Sequence, residues 1–446
     1  MDTNARISRL IVVSVLSILA IISIVKCLVD ETTEEPIEII IRDYNEILES
    51  SILNVALSEN ATEYCIYNAN PRGFQLETFN DFATAHGLEL NVIIANTETE
   101  AEKLLAEEQC DIIVKHTALS DSCSSEPLIN SNLVILSRTK EISDTLYIIG
   151  MQNFCIKNKG KTIISIDSIS SERLARKVAS GEISAAICDS ALALTYQKAY
   201  PRLKIDTTIC LPRQIRWKTR PESKALLDSI NSWLSRERET KHFKLRHEIY
   251  YSYININVSG RYYSGNNGQI SAYDELIKRH SKKLGWDWRL IASLICEESR
   301  FNPDISNPSG AYGLMQLMPS AYQKFAHDSA DISNPDVQMA AGIKHVDYLK
   351  KHTPETITDT SVIVRYVLMG YNAGHGHSED AYTLAMKHTG NPNSWKNLAQ
   401  YMEHLNDREF YTDTDVKCGK YKGSRTVKFT NNVVDRYKHY RNLIAE

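Results

Sequence analysis

The chain opens on an apolar run, Leu10–Val25, interrupted only by Ser14, Ser17 and Ser23; Arg6 and Arg9 precede it, and Lys26 and the acidic stretch Asp30–Glu35 come after it. Charge placed this way predicts an export signal or a short membrane anchor over residues 1–30, with the arginines on the cytoplasmic face and the rest of the chain outside. The run falls short of the ~20 residues of an ordinary span. No small-x-small cleavage site succeeds it, however, so the anchor is the preferred reading. Past a polar tether, Glu38–Tyr44 (EIIIRDY) reads as an apolar, β-branched strand. Leu76, Phe79, Phe82 and Ala83 then recur at helical spacing, His86-Gly87 supplies a stop, and Leu88, Leu90, Val92 and Ile94 alternate as a half-buried strand. A second helix over Glu98–Gln109 leads into Cys110–Val114 (CDIIV), a short apolar strand. Such alternation predicts an open α/β sheet with parallel crossovers, within a first folded part expected over residues 36–253.

Ile254–Gly268 (ININVSGRYYSGNNG) is rich in Asn, Gly and Ser and reads as a linker. The remainder of the chain, residues 269–446, reads as mainly helical. Ser271 is expected to cap a helix that carries Tyr273, Leu276, Ile277, His280 and Leu284 and stops at Gly285; Asp287 is expected to cap the next, Trp288–Ser299. On that second helix Ile291, Leu294, Ile295 and Glu298 share one face, so an apolar stripe ends in a carboxylate.

A chain of 446 residues exceeds the length at which one core keeps growing, so two or three domains are expected. Net charge is −4 without a dominant Lys/Arg stripe, which argues against nucleic acid as a partner. The nine cysteines show no C-x-x-C or Cys/His ligand spacing, so neither a metal nor another cofactor is expected; an exported chain could form disulfides among them. Cys27 sits next to Lys26, a poor match to the small residue of a lipobox.

The stretches GFQLETFNDFATAHGLEL and LLAEEQCDIIV, then Leu133–Thr139, VASGEISAAICDS and ALLDSINSWLSRERETKHFKLRHEIYY, resemble the two lobes and closing helices of family 3 periplasmic solute-binding proteins. The resemblance implies a cleft for a small ligand, with fragments of the cell wall, muropeptides, as the expected class. Amino-acid-binding members carry an arginine that clamps the ligand carboxylate after the strand corresponding to Asp111–Val114. Here that stretch reads HTALSDSCSS and has none, which leaves a different ligand or a mere spacer open.

Glu298–Pro319 (ESRFNPDISNPSGAYGLMQLMP) closely resembles the soluble lytic transglycosylase (SLT) domain motif, and GYNAGHG at Gly370–Gly376 resembles its A-Y-N-A-G segment. The tail, FYTDTDVKCGKYKGSRTVKFTNNVVDRYKHYRNLI, is similar to that of the membrane-bound lytic murein transglycosylases that join a solute-binding-like domain to an SLT domain in this order. The fold implied is a two-lobed α/β periplasmic-binding-protein-like domain, then a mainly α lysozyme-like domain, behind an N-terminal membrane segment. The activity implied is cleavage of peptidoglycan glycan strands in the bacterial envelope, with the folded domains in the periplasm. Glu298 is then the single acid and base. Gln316, Met318, Tyr371 and Asn372 are expected to line the groove, Ser299 to fix the glutamate rotamer beside the sugar, and Asn307, where the family has serine, to hydrogen-bond to the substrate. Gly310 and Gly313 are expected to let the loop pass close to it. A goose-type lysozyme-like hydrolase and a non-catalytic envelope sensor are the competing readings.

Overall fold

The first described residues already depart from the sequence reading. In the computed structural model, which describes residues 42–117, 121–139, 145–149, 162–166, 169–253, 256–326 and 330–446, Asp43 and Tyr44 cap and begin a helix, α1 (Tyr44–Ser50), where a strand was expected. Asp43 accepts from the first-turn backbone while Glu46 reaches back to the Asp43 N–H, a reciprocal cap that outweighs the β-branched run before it. Most of that run, and the apolar segment 1–30, lie outside the described residues; within them, no helix is long and apolar enough to cross a membrane.

Among the described residues the strands that come next are β1 (Ile52–Leu57), β2 (Cys65–Tyr67), β3 (Asn70–Arg72), β4 (Glu89–Ile94), β5 (Ile112–Thr117), β6 (Ile129–Ser137), β7 (Thr145–Ile149), β8 (Thr162–Ile166), β9 (Ala185–Asp189) and β10 (Lys204–Lys218). Between and after them run α2 (Phe74–Ala85), α3 (Glu98–Ala106), α4 (Ser171–Ser180), α5 (Ser190–Ala199), α6 (Lys224–Glu237) and α7 (Lys241–His247). Eight strands form one sheet in the order β4-β1-β5-β10-β6-β9-β7-β8, and β2-β3 is a separate hairpin. The expected parallel crossovers are present in both lobes: β1 pairs parallel with β4 and β5, and β7 with β8 and β9. The lobes are joined by β10, which runs antiparallel to β5 at one end and to β6 at the other. One strand thus belongs to both lobes, an arrangement that hydropathy alone does not reveal.

The segment read as a linker is packed. Ile256, Val258 and Tyr263 are buried in the core of the two-lobed part, a short helix α8 (Ser264–Asn267) comes after them, and the Ser264 hydroxyl accepts the Ile66 N–H. Asn and Gly mark local turns there; the interspersed aromatics decide that the chain stays attached.

The helical part comprises α9 (Asp274–Leu284), α10 (Trp288–Ser299), α11 (Pro319–Phe325), α12 (Pro335–Lys351), α13 (Thr360–Ala373), α14 (His375–Thr389), α15 (Trp395–His404), α16 (Arg408–Tyr411) and α17 (Ser424–Leu443). Asp287 caps α10 by accepting the Arg289 N–H, and Gly285 ends α9 in the left-handed region, as expected. Ser271 does not cap α9; its N–H and hydroxyl bind the Asp274 carboxylate, which folds the entry turn. The closing helix α17 packs on α10 and meets the two-lobed part: Tyr440 donates to the Ala69 carbonyl at 2.6 Å, Asn442 to the Val92 carbonyl at 2.9 Å, and the Tyr64 hydroxyl lies 2.8 Å from Nδ1 of His439. Ile66 and Ala69 of the hairpin region accordingly share the core of the helical part. Cys65, Cys110, Cys123, Cys188, Cys296 and Cys418 are free thiols.

Candidate functional site

Helix α10 is buried along nearly its whole length, from Trp288 to Cys296, and opens only in its last turn, where Glu297 and Glu298 reach partial exposure. Their fates differ. Glu297 is taken by α17: Asn432 Nδ2 donates to one of its oxygens and Arg436 Nη1 to the other, each at 2.8 Å. Glu298 carries no such partner among the described residues. Burial, reinforced by the neighbouring Glu297 charge, pushes its carboxyl from the ordinary 4.5 up to about 8. The negative end of the helix dipole acts on it in the same sense. A carboxyl in this state stays protonated at neutral pH and can give its proton away.

The chain then reverses. Arg300 and Phe301 both adopt positive φ, +51° and +62°, and the loop of residues 302–318 folds back over the helix end. Ser299 fastens it: its hydroxyl donates to the Leu314 carbonyl at 2.7 Å and the residue is only 4% exposed. This corrects the expectation that Ser299 orients the glutamate beside the sugar; its hydroxyl is committed to main chain. Asn307 is likewise a loop-former: its side-chain oxygen accepts the Ser309 and Ala311 N–H groups, leaving the exposed amide nitrogen as the free end. Gly313 sits at φ +84°, and a Cβ there would come within 2.5 Å of the Gln338 side chain, so only glycine fits.

Gln316 holds φ +47°, a region disfavoured for a residue with a Cβ. Its amide donates to the Ile305 and Gly313 carbonyls at 2.9 and 3.0 Å, which compensates the strain and leaves the side-chain oxygen for a ligand. Met318 is 43% exposed, so it does not pack in the core. Tyr371, on α13, donates to the Met315 carbonyl at 2.6 Å; burial and the Glu298 charge push its phenol well above the ordinary range. Tyr371 therefore ties the motif on α13 to the loop beside the glutamate. Asn372 is exposed, and its oxygen accepts from Thr426 of α17 at 2.6 Å.

Sequence reasoning missed Gln338 in α12. Fully buried, it accepts the Leu314 N–H at 2.8 Å and donates to the Pro303 and Ile332 carbonyls, both at 2.9 Å. A glutamine inside the apolar face of α12 was the available signal, since buried amides require partners.

A concavity lies between the lobes at the carboxyl end of β1, where α/β sheets receive ligands. Glu63, His116, Asp189 and Arg213 contribute to its lining. Here the sequence reading was incomplete: the turn after β5 lacks an arginine, but β10 supplies Arg213. Its Nη2 donates to the His116 carbonyl at 2.5 Å, while Nε is buried without a partner. Glu63 faces His116 at 3.1 Å.

The profile of the transglycosylase SLT domain matches residues 275–393. A protein of Desulfosudis oleivorans named membrane-bound lytic murein transglycosylase F is 25% identical over 86% of this chain and 88% of its own length. A protein of the same name from Haemophilus influenzae is 23% identical over 90% and 86%, respectively. One from Pseudomonas putida is 27% identical over 60% of this chain and 55% of its own length. Among solved structures, a mutant of ArgBP from T. maritima covers 47% of this chain and 98% of its own, at 20% identity and a TM-score of 0.41. The chain thus carries a transglycosylase SLT domain and resembles lytic murein transglycosylases along most of its length.

Proposed function

We propose that this chain is a peptidoglycan lytic transglycosylase that cleaves the β-1,4 bond between N-acetylmuramic acid and N-acetylglucosamine, leaving 1,6-anhydromuramoyl ends, with Glu298 as its single acid and base. The observation that carries the reading is the contrast at the end of α10: Glu297 is neutralised by Arg436, whereas Glu298 is partly buried, without a pairing group among the described residues, and protonated up to about pH 8. Protonated Glu298 donates to the glycosidic oxygen as the C1–O bond breaks. The muramoyl C6 hydroxyl attacks C1, and the ionised carboxylate takes the hydroxyl proton, so neither water nor a second carboxylate enters. This distinguishes the reaction from ordinary glycosidases, which need two acids at set separations. Gln316 and Asn307 offer polar atoms to the N-acetyl groups, Met318 offers an apolar surface, and Tyr371 and Ser299 hold the loop that carries them.

The relatives' names support an envelope location; on this reading residues 1–30 anchor the chain and the folded parts act in the periplasm. The cleft between the lobes supports a small wall-derived ligand, with Arg213 as the group for its carboxylate.

Digestion of purified peptidoglycan and mass spectrometry of the products test the reading. Anhydro ends, lost in Glu298→Gln, are expected. Reducing ends would make the protein a lysozyme-like hydrolase instead, and intact glycan after digestion by the wild-type chain would leave a non-catalytic wall-binding module.

A further inference from the structure

Beyond the groove, three side chains of different chemistry converge where the sequence showed no ligand spacing. His377 and Asp380 stand one turn apart on α14, and the segment between α16 and α17 brings Cys418 to them; one donor atom from each lies within 4.8 Å of the others. Each has a feature that bears on ligation. Nδ1 of His377 is buried with no hydrogen-bond partner. Asp380 is 1% exposed, yet among the described residues no Lys or Arg pairs with it; the Lys417 and Cys418 N–H groups hold its two oxygens at 2.8 Å each. The thiol of Cys418 lies against Gly376, where a Cβ would come within 2.4 Å of Sγ, so the glycine makes room for the sulfur. A buried carboxylate, an idle imidazole nitrogen and a thiol at this spacing are the donors that a borderline-soft divalent ion takes, and a bound ion would neutralise the carboxylate.

We propose that His377, Asp380 and Cys418 form a binding site for zinc, with the fourth position open to solvent. The two backbone N–H groups on Asp380 serve as its outer-shell support. The ion's role derives from the contacts of its ligands. The His377 ring stacks on Tyr421 at 4.3 Å between centroids; the Tyr421 hydroxyl is 2.9 Å from Thr426 Oγ1, which in turn donates to Asn372. Zinc would therefore staple the 412–423 segment to α14 and steady Asn372 at the groove, a positioning role distinct from proton transfer at Glu298. A second cluster, Asp81, Glu237 and His242, carries no such reading, because Asp81 is already paired with Arg246.

The test is titration of the purified chain, freed of metal, with zinc chloride, monitored calorimetrically and by thermal melting, and with cobalt(II) monitored optically. Saturable binding of one ion per chain is expected, with a cobalt–thiolate charge-transfer band and a rise in Tm. Loss of an outer-shell partner alone costs a metal site about 10–100-fold in affinity, so Cys418→Ser and His377→Ala are each expected to weaken binding by at least that much, and Cys418→Ser, which removes the sulfur, to abolish the band. Cys418 is exposed, so its serine variant keeps the fold, and its circular dichroism and metal-free Tm verify this. His242→Ala is expected to bind zinc like the wild type. Absence of saturable binding, undiminished affinity in Cys418→Ser, or loss of binding in His242→Ala would each overturn the proposal. None of these readouts depends on glycan cleavage, so the site stands or falls separately from the transglycosylase reading.

Discussion

The end of α10, where the substrate groove is proposed, and the cleft between the lobes both hold charged side chains away from bulk water, but they treat them in opposite ways. In the cleft, Glu63 faces His116, Asp189 accepts from the Ala191 N–H and the Ser131 hydroxyl, and Arg213 is anchored to a main-chain carbonyl with one nitrogen left over. Those charges are held in place by fixed partners, which suits recognition of a ligand that brings its own charge. In the groove, Glu298 is left alone while its neighbour Glu297 is clamped, and the energetic cost of ionising it is what raises its affinity for a proton. The difference teaches that what a partly buried charge can do is set by its pairing groups as much as by its burial.

The largest expected effect breaks the groove side of that comparison. Glu298→Gln should lower the rate of glycan cleavage roughly a thousandfold, the scale of a lost general acid, whereas Glu297→Gln, which removes the ion-pair partner of Arg436 and the lesser of the two causes that raise the Glu298 carboxyl, should cost far less; comparable losses in the two would refute the distinction. The pH dependence sharpens it. Cleavage should fall as pH rises through about 8, because the proton needed for the first step is then lost.

Next in size is the frame beneath the loop. Gln338→Leu leaves the buried Leu314 N–H without an acceptor, and a stability loss on the order of 1–3 kcal/mol is expected in chemical denaturation. Activity should fall with it, since Ser299 and Tyr371 hold the same stretch. In the cleft, Arg213→Leu should abolish any rise in Tm produced by carboxylate-bearing wall fragments while leaving cleavage by the ligand-free chain unchanged. Persistence of the rise would show that Arg213 is structural.

The remaining effect is on the pH dependence of stability alone and leaves the rate of cleavage aside. Because folding raises the Glu298 pKa, the native state holds a proton that the unfolded chain releases, and wild-type stability declines relative to Glu298→Gln as pH rises from about 4.5 to about 8. Below that window the two proteins should melt alike; above it the glutamine variant should be the more stable. Identical pH profiles would mean that Glu298 is solvated.

Much of this was legible along the chain. The 3.6-residue stripe of α10 ends at Glu298 in the structure as in the sequence, Asp287 and Gly285 punctuate the helices as read, and the alternation of strands and helices matches the parallel pairing of each lobe, because local periodicity and caps depend on near neighbours. The roles of side chains within the loop were not legible. Ser299 and Asn307 were assigned to the sugar from motif positions, and both commit hydrogen-bonding groups to the backbone.

The amino-acid order by itself therefore determined the strand–helix alternation of the first lobe, the limits of α9 and α10, the position of Glu298 at the end of α10 and the SLT motif around it. Tertiary structure alone decided that Glu297 would be neutralised from α17, that Gln338 would hold the loop, that β10 would bring Arg213 to a cleft whose own turn lacks one, and that Cys418 would meet His377 and Asp380. The physical reason is the same in each case: pairing of charges and satisfaction of buried polar groups depend on partners tens to hundreds of residues away, and no local period encodes them.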